Sequence, residues 1–425
     1  MHFPMNCQKI GAALALLSAL GAPAAAAPAA DPQPTQPGWS ASWTASPQPV
    51  WEAGFALPTN IPASLSNQTV RQVARLSLGG KRARVVLSNE YGATPLTVGA
   101  AHIALAGAGA ATVAGSDRML TFGGRQTVTI APGAPAVSDP VDLTLAPLAQ
   151  VAVSIFLPQS TPLATFHWDG KQTAYIAPGN LAAAPLIKMG ETVEARLFLS
   201  AILVDAAPAA RVVAAFGDSI TDGAGSTANQ NQRWPDLLAQ RLATQNVAVI
   251  NAGISGARVL SDKMGVNALA RFERDVLDQP GLDTVIVLMG INDIAWPGSS
   301  FTPQEPALAE ERLIDGYRQL IARARLRHVR IVGATLTPFE GALQDSELKS
   351  YYSASKEKTR QAVNRWIRGS GEFDAVIDFD AVVRDPRHPR RFLPAFDSGD
   401  HLHPGDRGYR AMAEAIDLGQ LLGAR

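Results

Sequence analysis

The chain has 425 residues, of which 47% are hydrophobic, so it is long enough for two or three domains and can bury substantial cores. Lys plus Arg and Asp plus Glu both total 37, so no net charge directs the protein to nucleic acid or to an anionic membrane surface. Neutral or locally polar partners are expected, and the composition sets no oligomeric state.

The first segment has the layout of a secretory signal. A weakly basic start is followed by an apolar stretch, Ile10 to Leu20, and then by small residues. The apolar stretch is too short for a comfortable transmembrane helix. We therefore expect a signal peptide over residues 1–26, cleaved near Ala26, a disordered N-terminus over residues 27–38, and a secreted or periplasmic protein. The alternative is an uncleaved N-terminus.

The only cysteine, Cys7, lies in that first segment. The mature chain is therefore expected to have no disulfide, no thiolate nucleophile and no cysteine-based metal site. No other stretch is long and apolar enough to span a bilayer, so no stable membrane insertion is expected.

Short β-like runs separated by Gly, Pro and Asn extend from Trp39 to Val204. They include VRQVARLSL, which alternates polar and apolar residues, and RARVVLS, QTVTI, AQVAVSIFL and EARLFLSAILV. Runs of this length, with turn residues between them and no helical stripe, predict an all-β sandwich or jelly-roll-like domain over residues 39–204. The small residues of 205–210 predict a linker.

After this segment the hydrophobic period changes. The strand-like runs RVVAAF, VAVIN, TVIVLM, VRIVGATL and AVIDF alternate with the helix-like stretches WPDLLAQRLAT, EERLIDGYRQLIARARLRH, SASKEKTRQAVNRWIRGS and GYRAMAEAIDLGQLL. This alternation predicts an α/β domain over residues 211–425, with a parallel sheet covered on both faces and the chemistry at the carboxyl ends of its strands.

Four polar stretches follow strands of this second part: AFGDSITDGAG, NAGISG, MGIND and DSGDHLHPGDRGY. Each has a structural interpretation, because Gly, Asp and Ser form turns and helix caps, and Asn292 by itself could cap a helix. Each also has a chemical one. A serine at a strand end, such as Ser219, can act as a nucleophile if a base, an orienting acid and oxyanion donors lie nearby.

Together the four stretches resemble the four sequence blocks of the SGNH hydrolases, also called the GDSL esterase and lipase family. The resemblance implies a flavodoxin-like three-layer α/β/α domain with Ser219 as nucleophile, His403 as base and Asp400 as its acidic partner. It also implies three oxyanion donors, which are the backbone N–H groups of Ser219 and Gly256 and the side-chain amide of Asn292.

Two residues depart from the family's blocks. Ile220 replaces the leucine of the name-giving tetrapeptide, and Gly405 stands where asparagine often follows His-Pro. Neither exchange removes a group with a role in the chemistry.

The chemistry of these residue types agrees with the resemblance. A serine hydroxyl needs an imidazole to take its proton, and the imidazole needs an acceptor on its other nitrogen, which Asp400-x-x-His403 can supply. His401 is the rival base and Asp397 the rival acid. Gly256 suits a position that substrate must approach closely, because it lacks a Cβ atom.

Three charged residues near these blocks have structural interpretations. Asp293 is interpreted as a cap or loop anchor, and Asp222 and Arg258 as solvated or structural charges.

The resemblance implies a serine esterase that needs no cofactor or metal and acts on a small-molecule or polysaccharide acyl ester. The β-rich part resembles, more loosely, N-terminal modules of secreted bacterial arylesterases and xylan-associated acetylesterases. The catalytic part has no long apolar insertion, which favours acetyl or other short acyl groups. Trp168 or Trp51 could form a wall on the alcohol side or could belong to the β core. A lipase or lysophospholipase, and an inactive carbohydrate-binding protein, are the alternatives.

Overall fold

A computed structural model describes residues 38–188, 190–207 and 210–423 of the chain. The expected signal peptide and all but the last residue of the expected N-terminal segment 27–38 lie outside these ranges. None of the helices within the ranges is long and apolar enough to cross a bilayer.

The first part of the described chain is built from short strands that pair antiparallel. In chain order they are β1 (Trp39–Thr44), β2 (Gln48–Pro49), β3 (Ser64–Leu65), β4 (Gln68–Arg75), β5 (Gly80–Ser88), β6 (Leu96–Val98), β7 (Ala100–Leu105), β8 (Arg118–Met119), β9 (Val128–Ile130), β10 (Pro135–Val137), β11 (Val141–Leu145), β12 (Gln150–Leu157), β13 (Thr161–Pro162), β14 (Thr165–His167), β15 (Ala174–Pro178), β16 (Glu191–Val193), β17 (Arg196–Leu197) and β18 (Leu199–Asp205).

Two larger sheets organise this antiparallel part. One has the order β16-β15-β4-β12-β7-β8, and the other has the order β1-β18-β5-β10 with β11 also paired to β5. Val70 of the first sheet and Val85 of the second are fully buried in the same core. Burial of the inner faces of two antiparallel sheets is the sandwich arrangement that the sequence predicts.

Polar side chains of β4 are buried on both faces of the strand, although the alternation in its sequence favours one exposed face. Arg71 donates from Nη1 to the carbonyl oxygen of Ala110 (2.6 Å) and from Nε to Ser154 Oγ (2.8 Å). Gln72 exchanges two hydrogen bonds with the backbone of Leu197. These polar side chains tolerate burial because neighbouring strands and a loop supply their hydrogen-bond partners.

The second part holds a five-stranded parallel sheet and nearly all of the helices. Its strands are β19 (Arg211–Gly217), β20 (Val247–Gly253), β21 (Leu282–Leu288), β22 (Arg330–Ala334) and β23 (Ala375–Ile377). The helices are α1 (Ser219–Asp222), α2 (Trp234–Leu242), α3 (Ala268–Phe272), α4 (Ile291–Ala295), α5 (Glu310–Leu326), α6 (Ala354–Gly369), α7 (Phe379–Val383), α8 (Asp406–Ala415) and α9 (Leu418–Leu422), with a π-helical turn at Glu273–Leu277.

The strand order of the parallel sheet is β20-β19-β21-β22-β23. This is the order of flavodoxin-like folds, so the expected fold class is confirmed. β20 and β21 lie on opposite sides of β19 in the sheet. In these folds, ligands bind in the crevice outside the carboxyl ends of strands at which the strand order reverses in this way. The polar stretches after β19, β20 and β21 therefore meet at one edge.

One predicted helix is two helices in the structure. The stretch GYRAMAEAIDLGQLL keeps a helical spacing, but α8 ends at Ala415 and α9 begins at Leu418. Ile416 is extended, and the Asp417 side chain accepts the N–H groups of Gly419 and Gln420, which caps a new helix. A capping residue thus interrupts a pattern that hydrophobic period alone would continue.

The two parts belong to one compact unit and make hydrogen bonds to each other. The free edge of β20 faces the antiparallel part. Thr44 Oγ1 donates to the carbonyl oxygen of Asn251 (2.9 Å), and Ser77 Oγ donates to that of Val249 (2.5 Å). The antiparallel part thus covers an edge strand that would otherwise present unpaired carbonyl groups.

Arg271 of α3 ties the ends of two parallel strands together. Its side chain is fully buried and donates to the carbonyl oxygens of Gly217 and Ala252 and to the carboxylate of Asp275 (2.9 Å). Removing the guanidinium would leave the Asp275 charge and two carbonyl groups buried without this donor.

We expect Arg271→Met to lower the free energy of unfolding by about 3–5 kcal/mol, the usual cost of removing one partner of a buried ion pair. Arg318→Met is the matched control, because Arg318 pairs with Glu372 at the surface and should cost at most about 1 kcal/mol. Denaturant unfolding measures both values. Equal losses in the two variants would contradict the assignment of Arg271 as a structural tie.

Candidate active site

Ser219 is the first residue of α1, directly after β19. Asp218 caps this short helix by accepting the N–H of Ile220 at 3.0 Å. The serine side chain is therefore presented at the carboxyl end of β19, and Ser219 is only 7% exposed. Asp218 therefore shapes the turn from which Ser219 projects.

His403 connects Ser219 to Asp400. Its Nε2 lies 2.8 Å from Ser219 Oγ, and its Nδ1 lies 2.6 Å from Asp400 Oδ2. The other carboxylate oxygen of Asp400 accepts the N–H groups of Leu402 and His403, at 2.9 and 2.8 Å. One short turn thus fixes both the acid and the ring, and the three side chains matched by the sequence resemblance form one hydrogen-bonded chain.

The carboxyl group of Asp400 stays ionised in this turn. Partial burial by itself raises its pKa, but the hydrogen bond and charge of His403, together with the two backbone N–H groups, outweigh burial and hold the pKa well below its usual range. An ionised Asp400 keeps the proton of His403 on Nδ1, so Nε2 is left to accept the proton of Ser219.

The rival residues form a separate pair. His401 Nδ1 lies 2.5 Å from Asp397 Oδ2, and Asp397 also accepts the N–H groups of His401 and Gly399. Among the described residues His401 makes no hydrogen bond to Ser219. Asp400 and His403 are therefore the acid and the imidazole that the structure brings to the serine.

Gly256 lies in the loop after β20 with a φ angle of +77°, a conformation that residues with a Cβ atom rarely adopt. A Cβ atom here would lie 2.3 Å from Met264 Sδ. The positive φ angle and the close approach of Met264 both favour glycine at this position. Within the described ranges, the backbone N–H groups of Gly256 and Ser219 donate to no protein acceptor.

Asn292 is not a helix cap. It lies inside α4, whose N-cap is Gly290. Its Oδ1 accepts hydrogen bonds from Trp296 Nε1 (3.0 Å) and Tyr351 Oη (2.6 Å), and its Nδ2 donates to the carbonyl oxygen of Ala257 (3.0 Å). These partners fix the amide orientation, because indole N–H can only donate and a carbonyl can only accept. One N–H of Nδ2 remains for a ligand.

Sequence reasoning did not identify Trp296 and Tyr351 as partners of the asparagine. Trp296 follows Asn292 by four residues on a helical stretch, a spacing that places both on one face, so a signal was present. Tyr351 is 59 residues from Asn292 and gives no local signal.

Three charged residues near the blocks are structural. Asp293 accepts the N–H groups of Val259 and Leu260, at 2.8 and 2.9 Å, and burial raises its pKa to about 6. Arg258 pairs with Glu305 and lies over the ring of Trp296. Asp222 is fully buried, so the alternative of a solvated charge is wrong for it.

A cavity of about 270 Å³ opens at these groups. Its lining includes every residue of the predicted site. The other lining residues are Leu57, Trp168, Asp169, Ala224, Gly225, Ser255, Met264, Trp296, Phe301, Leu343, Leu348, Tyr351 and Leu402. Leu57, Trp168 and Asp169 come from the antiparallel part. Trp51 belongs to the core behind this wall, where its ring packs against that of Trp168.

No group of three or more His, Cys, Asp or Glu side chains in residues 38–188, 190–207 and 210–423 is arranged to hold a metal ion.

Comparison with known proteins gives a family match for the second part of the chain. Residues 213–416 match the family model described as GDSL-like Lipase/Acylhydrolase. No curated protein matches the chain.

Solved structures similar to this chain each cover about half of it. A GDSL-like lipase from Bacteroides thetaiotaomicron VPI-5482 has 19% identity over 49% of this chain and 85% of that chain, with a TM-score of 0.36. A carbohydrate acetylesterase family member from Sinorhizobium meliloti has 18% identity over 50% and 100%, with a TM-score of 0.39. An acetyl xylan esterase, AlAXEase, has 21% identity over 48% and 96%, with a TM-score of 0.35.

The site also carries an acid whose burial has a measurable consequence for stability. Burial raises the pKa of Asp218 to about 7, although the N–H of Ile220 and the charge of His403 act in the other direction. The pKa of Asp in an unfolded chain is about 3.9. Between these values the folded protein binds a proton that the unfolded chain has lost, so the free energy of unfolding falls as the pH rises through this window.

We expect Asp218→Asn to remove this part of the pH dependence, since asparagine does not titrate and its Oδ1 can still accept the N–H of Ile220. Melting temperature measured from about pH 5 to about pH 8 should therefore fall less in the variant than in the wild type. Asp142→Asn, which changes an exposed carboxylate in β11, is the control and should follow the wild-type curve. Parallel curves for wild type and Asp218→Asn would contradict the assignment.

Proposed function

We propose that the chain is a carboxylic ester hydrolase, more closely an exported serine esterase that removes short acyl groups, above all acetyl. The match of residues 213–416 to the GDSL-like Lipase/Acylhydrolase family model supports the proposal. The observation that carries the proposal is the hydrogen-bonded chain Asp400–His403–Ser219, which lines a cavity shared with Gly256 and Asn292. A nucleophile, a base, an orienting acid and donors are the four components that acyl transfer needs.

In the first step His403 Nε2 takes the proton of Ser219 Oγ as the oxygen attacks the ester carbonyl carbon. The carbonyl double bond opens, and its oxygen becomes an oxyanion on a tetrahedral carbon. Asp400 does not change its protonation state. It holds the ring and stabilises the imidazolium that forms.

The oxyanion receives hydrogen bonds from the N–H groups of Ser219 and Gly256 and from Asn292 Nδ2. These donors are useful because they are fixed before the charge develops, and one such donor contributes about 10²–10³-fold to kcat in serine hydrolases. The Trp296 and Tyr351 bonds to Asn292 Oδ1 keep its amide facing the cavity. Among the described residues, the two backbone N–H groups and the second N–H of Asn292 Nδ2 have no protein acceptor to give up when the oxyanion forms.

The intermediate collapses when the alcohol oxygen leaves with the proton from His403, so that the acyl group remains on Ser219. A water molecule then attacks the acyl carbon and gives its proton to His403. A second collapse releases the carboxylic acid, returns the proton to Ser219 Oγ and restores neutral His403.

The cavity supports a small acyl group and a flat alcohol. Its volume of about 270 Å³ is below the roughly 300–1,000 Å³ of pockets that enclose drug-sized ligands. Trp168, half-buried and held by a bond from its Nε1 to the Pro58 carbonyl oxygen, offers an aromatic surface at the mouth. A sugar ring can stack on such a surface, so an acetylated polysaccharide fits the proposal.

We expect Ser219→Ala and His403→Ala each to lower kcat for p-nitrophenyl acetate by roughly 10⁴-fold or more, because members of one catalytic unit fail together. His401→Ala is the control and should stay close to wild type, since His401 pairs with Asp397 and with no other acid in the described part of the chain. Circular dichroism checks that each variant is folded. A greater loss in His401→Ala than in His403→Ala would reverse the assignment of the base.

We expect kcat/KM to be highest for acetyl and to fall through butyryl to octanoyl esters of the same alcohol. The part of a longer acyl group that does not fit the cavity stays in water, so it does not gain the stabilisation of about 0.8 kcal/mol that each buried methylene contributes. Ser219→Ala supplies the background rate for each ester. A rise in kcat/KM towards octanoyl would favour a lipase, and the absence of any Ser219-dependent turnover would favour a carbohydrate-binding protein.

Export is the remaining element of the proposal. It rests on the signal-like segment 1–26, and it predicts a mature protein that begins just after Ala26. N-terminal sequencing of protein from the periplasm and the culture medium tests it, and recovery of only uncleaved protein in the cytoplasm would contradict it.

A further inference from the structure

His167, at the end of β14 in the antiparallel part, is 5% exposed and touches the α/β part. Its Nδ1 lies 3.0 Å from the carbonyl oxygen of Ser46. Its Nε2 lies 2.9 Å from Oδ1 of Asp222, which is the last residue of α1. Both nitrogens of this ring therefore face oxygen atoms.

The contacts of His167 favour a charged imidazole. A carbonyl oxygen can only accept, and a carboxylate oxygen accepts as well, so a hydrogen on each ring nitrogen satisfies both contacts. Burial by itself lowers the pKa of His167, but the charge and hydrogen bond of Asp222, with the Ser46 carbonyl, raise it above the usual value. The positive charge of Arg196 in β17 disfavours the charged form of His167, whereas the negative charge of Asp169, after β14, favours it.

Asp222 connects His167 to the segments that carry the proposed oxyanion donors. Its Oδ2 accepts the N–H (2.9 Å) and the Oγ–H (2.8 Å) of Ser255. Ser255 directly precedes Gly256, and Asp222 closes the helical turn that Ser219 opens. One buried carboxylate is thus bonded to the loop of one backbone donor and belongs to the turn of the other.

A second contact from the antiparallel part reaches the same loop. Gln48 is fully buried, donates to the carbonyl oxygen of Met264 (2.6 Å) and accepts the N–H of Trp168 (2.7 Å). Met264 in turn packs on the face of Gly256, where a Cβ atom would collide with it. The loop of Gly256 is therefore held by the antiparallel part on two sides.

We propose that His167 is a positioning residue for ester hydrolysis: as a buried cation it fixes the Asp222 carboxylate, which sets the separation of the Ser219 and Gly256 N–H groups. The inference rests on the serine-esterase function proposed above. Donors act on the transition state only if they are fixed in advance, so a loosened loop lowers kcat and leaves KM nearly unchanged.

The test uses the full chain with His167→Gln and Ser255→Ala. Glutamine can still donate to Asp222 but carries no charge, and Ser255→Ala removes only one of the two bonds to Asp222 Oδ2. The quantities to be measured are kcat and KM for p-nitrophenyl acetate and the affinity for phenylboronic acid. The boron atom of this inhibitor bonds to Ser219 Oγ and becomes tetrahedral. His167→Gln should lower kcat by about tenfold or more, with a matching loss of boronate affinity and little change in KM. Ser255→Ala should act in the same direction, more weakly.

The wild type alone gives a further readout. Its kcat should decline on the alkaline side, where His167 loses its proton, at a pH above the ordinary histidine range. In His167→Gln this alkaline decline should be absent. A residue that only filled space would not change the pH profile.

His102→Gln is the matched control, because His102 pairs with Asp117 at 2.9 Å in the same antiparallel part and should leave kcat unchanged. A folded His167→Gln with wild-type kcat and boronate affinity would overturn the proposal. If that variant does not fold, wild-type kcat in Ser255→Ala together with no alkaline decline in the wild type would overturn it. Failure of the proposed function differs from both, because the wild type would then show no Ser219-dependent turnover.

Discussion

The free edge of β20 is the constraint on which much of this molecule depends. A parallel sheet that ends on this strand needs partners for the outward carbonyl groups of Val249 and Asn251, and hydroxyl groups of the antiparallel part supply them. The strand ends at Gly253, and the loop that carries Gly256 begins there. Covering the edge therefore also places one wall of the cavity, and the stability of the sheet and the geometry of the site depend on the same interface.

Much of the fold and of the candidate site could be predicted from the sequence, because the signals are local. Strand and helix periods differ, and the carboxyl ends of parallel strands must meet at one edge, which brings Ser219, Gly256 and Asn292 together. Asp400 and His403 lie on a single turn, so their contact depends on a spacing of three residues. The roles of these residues in catalysis remain predictions.

The parts that the sequence did not predict depend on contacts between distant segments. His167 and Asp222 are 55 residues apart, and their ion pair exists only because the two parts pack together. The packing of Met264 against Gly256 is another contact that no local pattern indicates. Ile416 lies in a helical pattern, yet the chain is extended there because a capping aspartate follows. The hydrophobic period and the spacing of motifs describe residues that are close along the chain, whereas the contacts named here depend on how separate segments pack and are buried.

The wall of the cavity is divided between two stretches of chain. The predicted catalytic residues come from the α/β part, whereas Leu57 and Asp169 reach the cavity on loops of the antiparallel part, far from Ser219 in sequence. Under the proposed function, exchanges at Leu57 or Asp169 would alter the surface offered to the alcohol and leave the proposed acyl-transfer groups in place. Substrate range can therefore diverge among descendants of this chain through a few loop substitutions, while the chemical step is inherited unchanged.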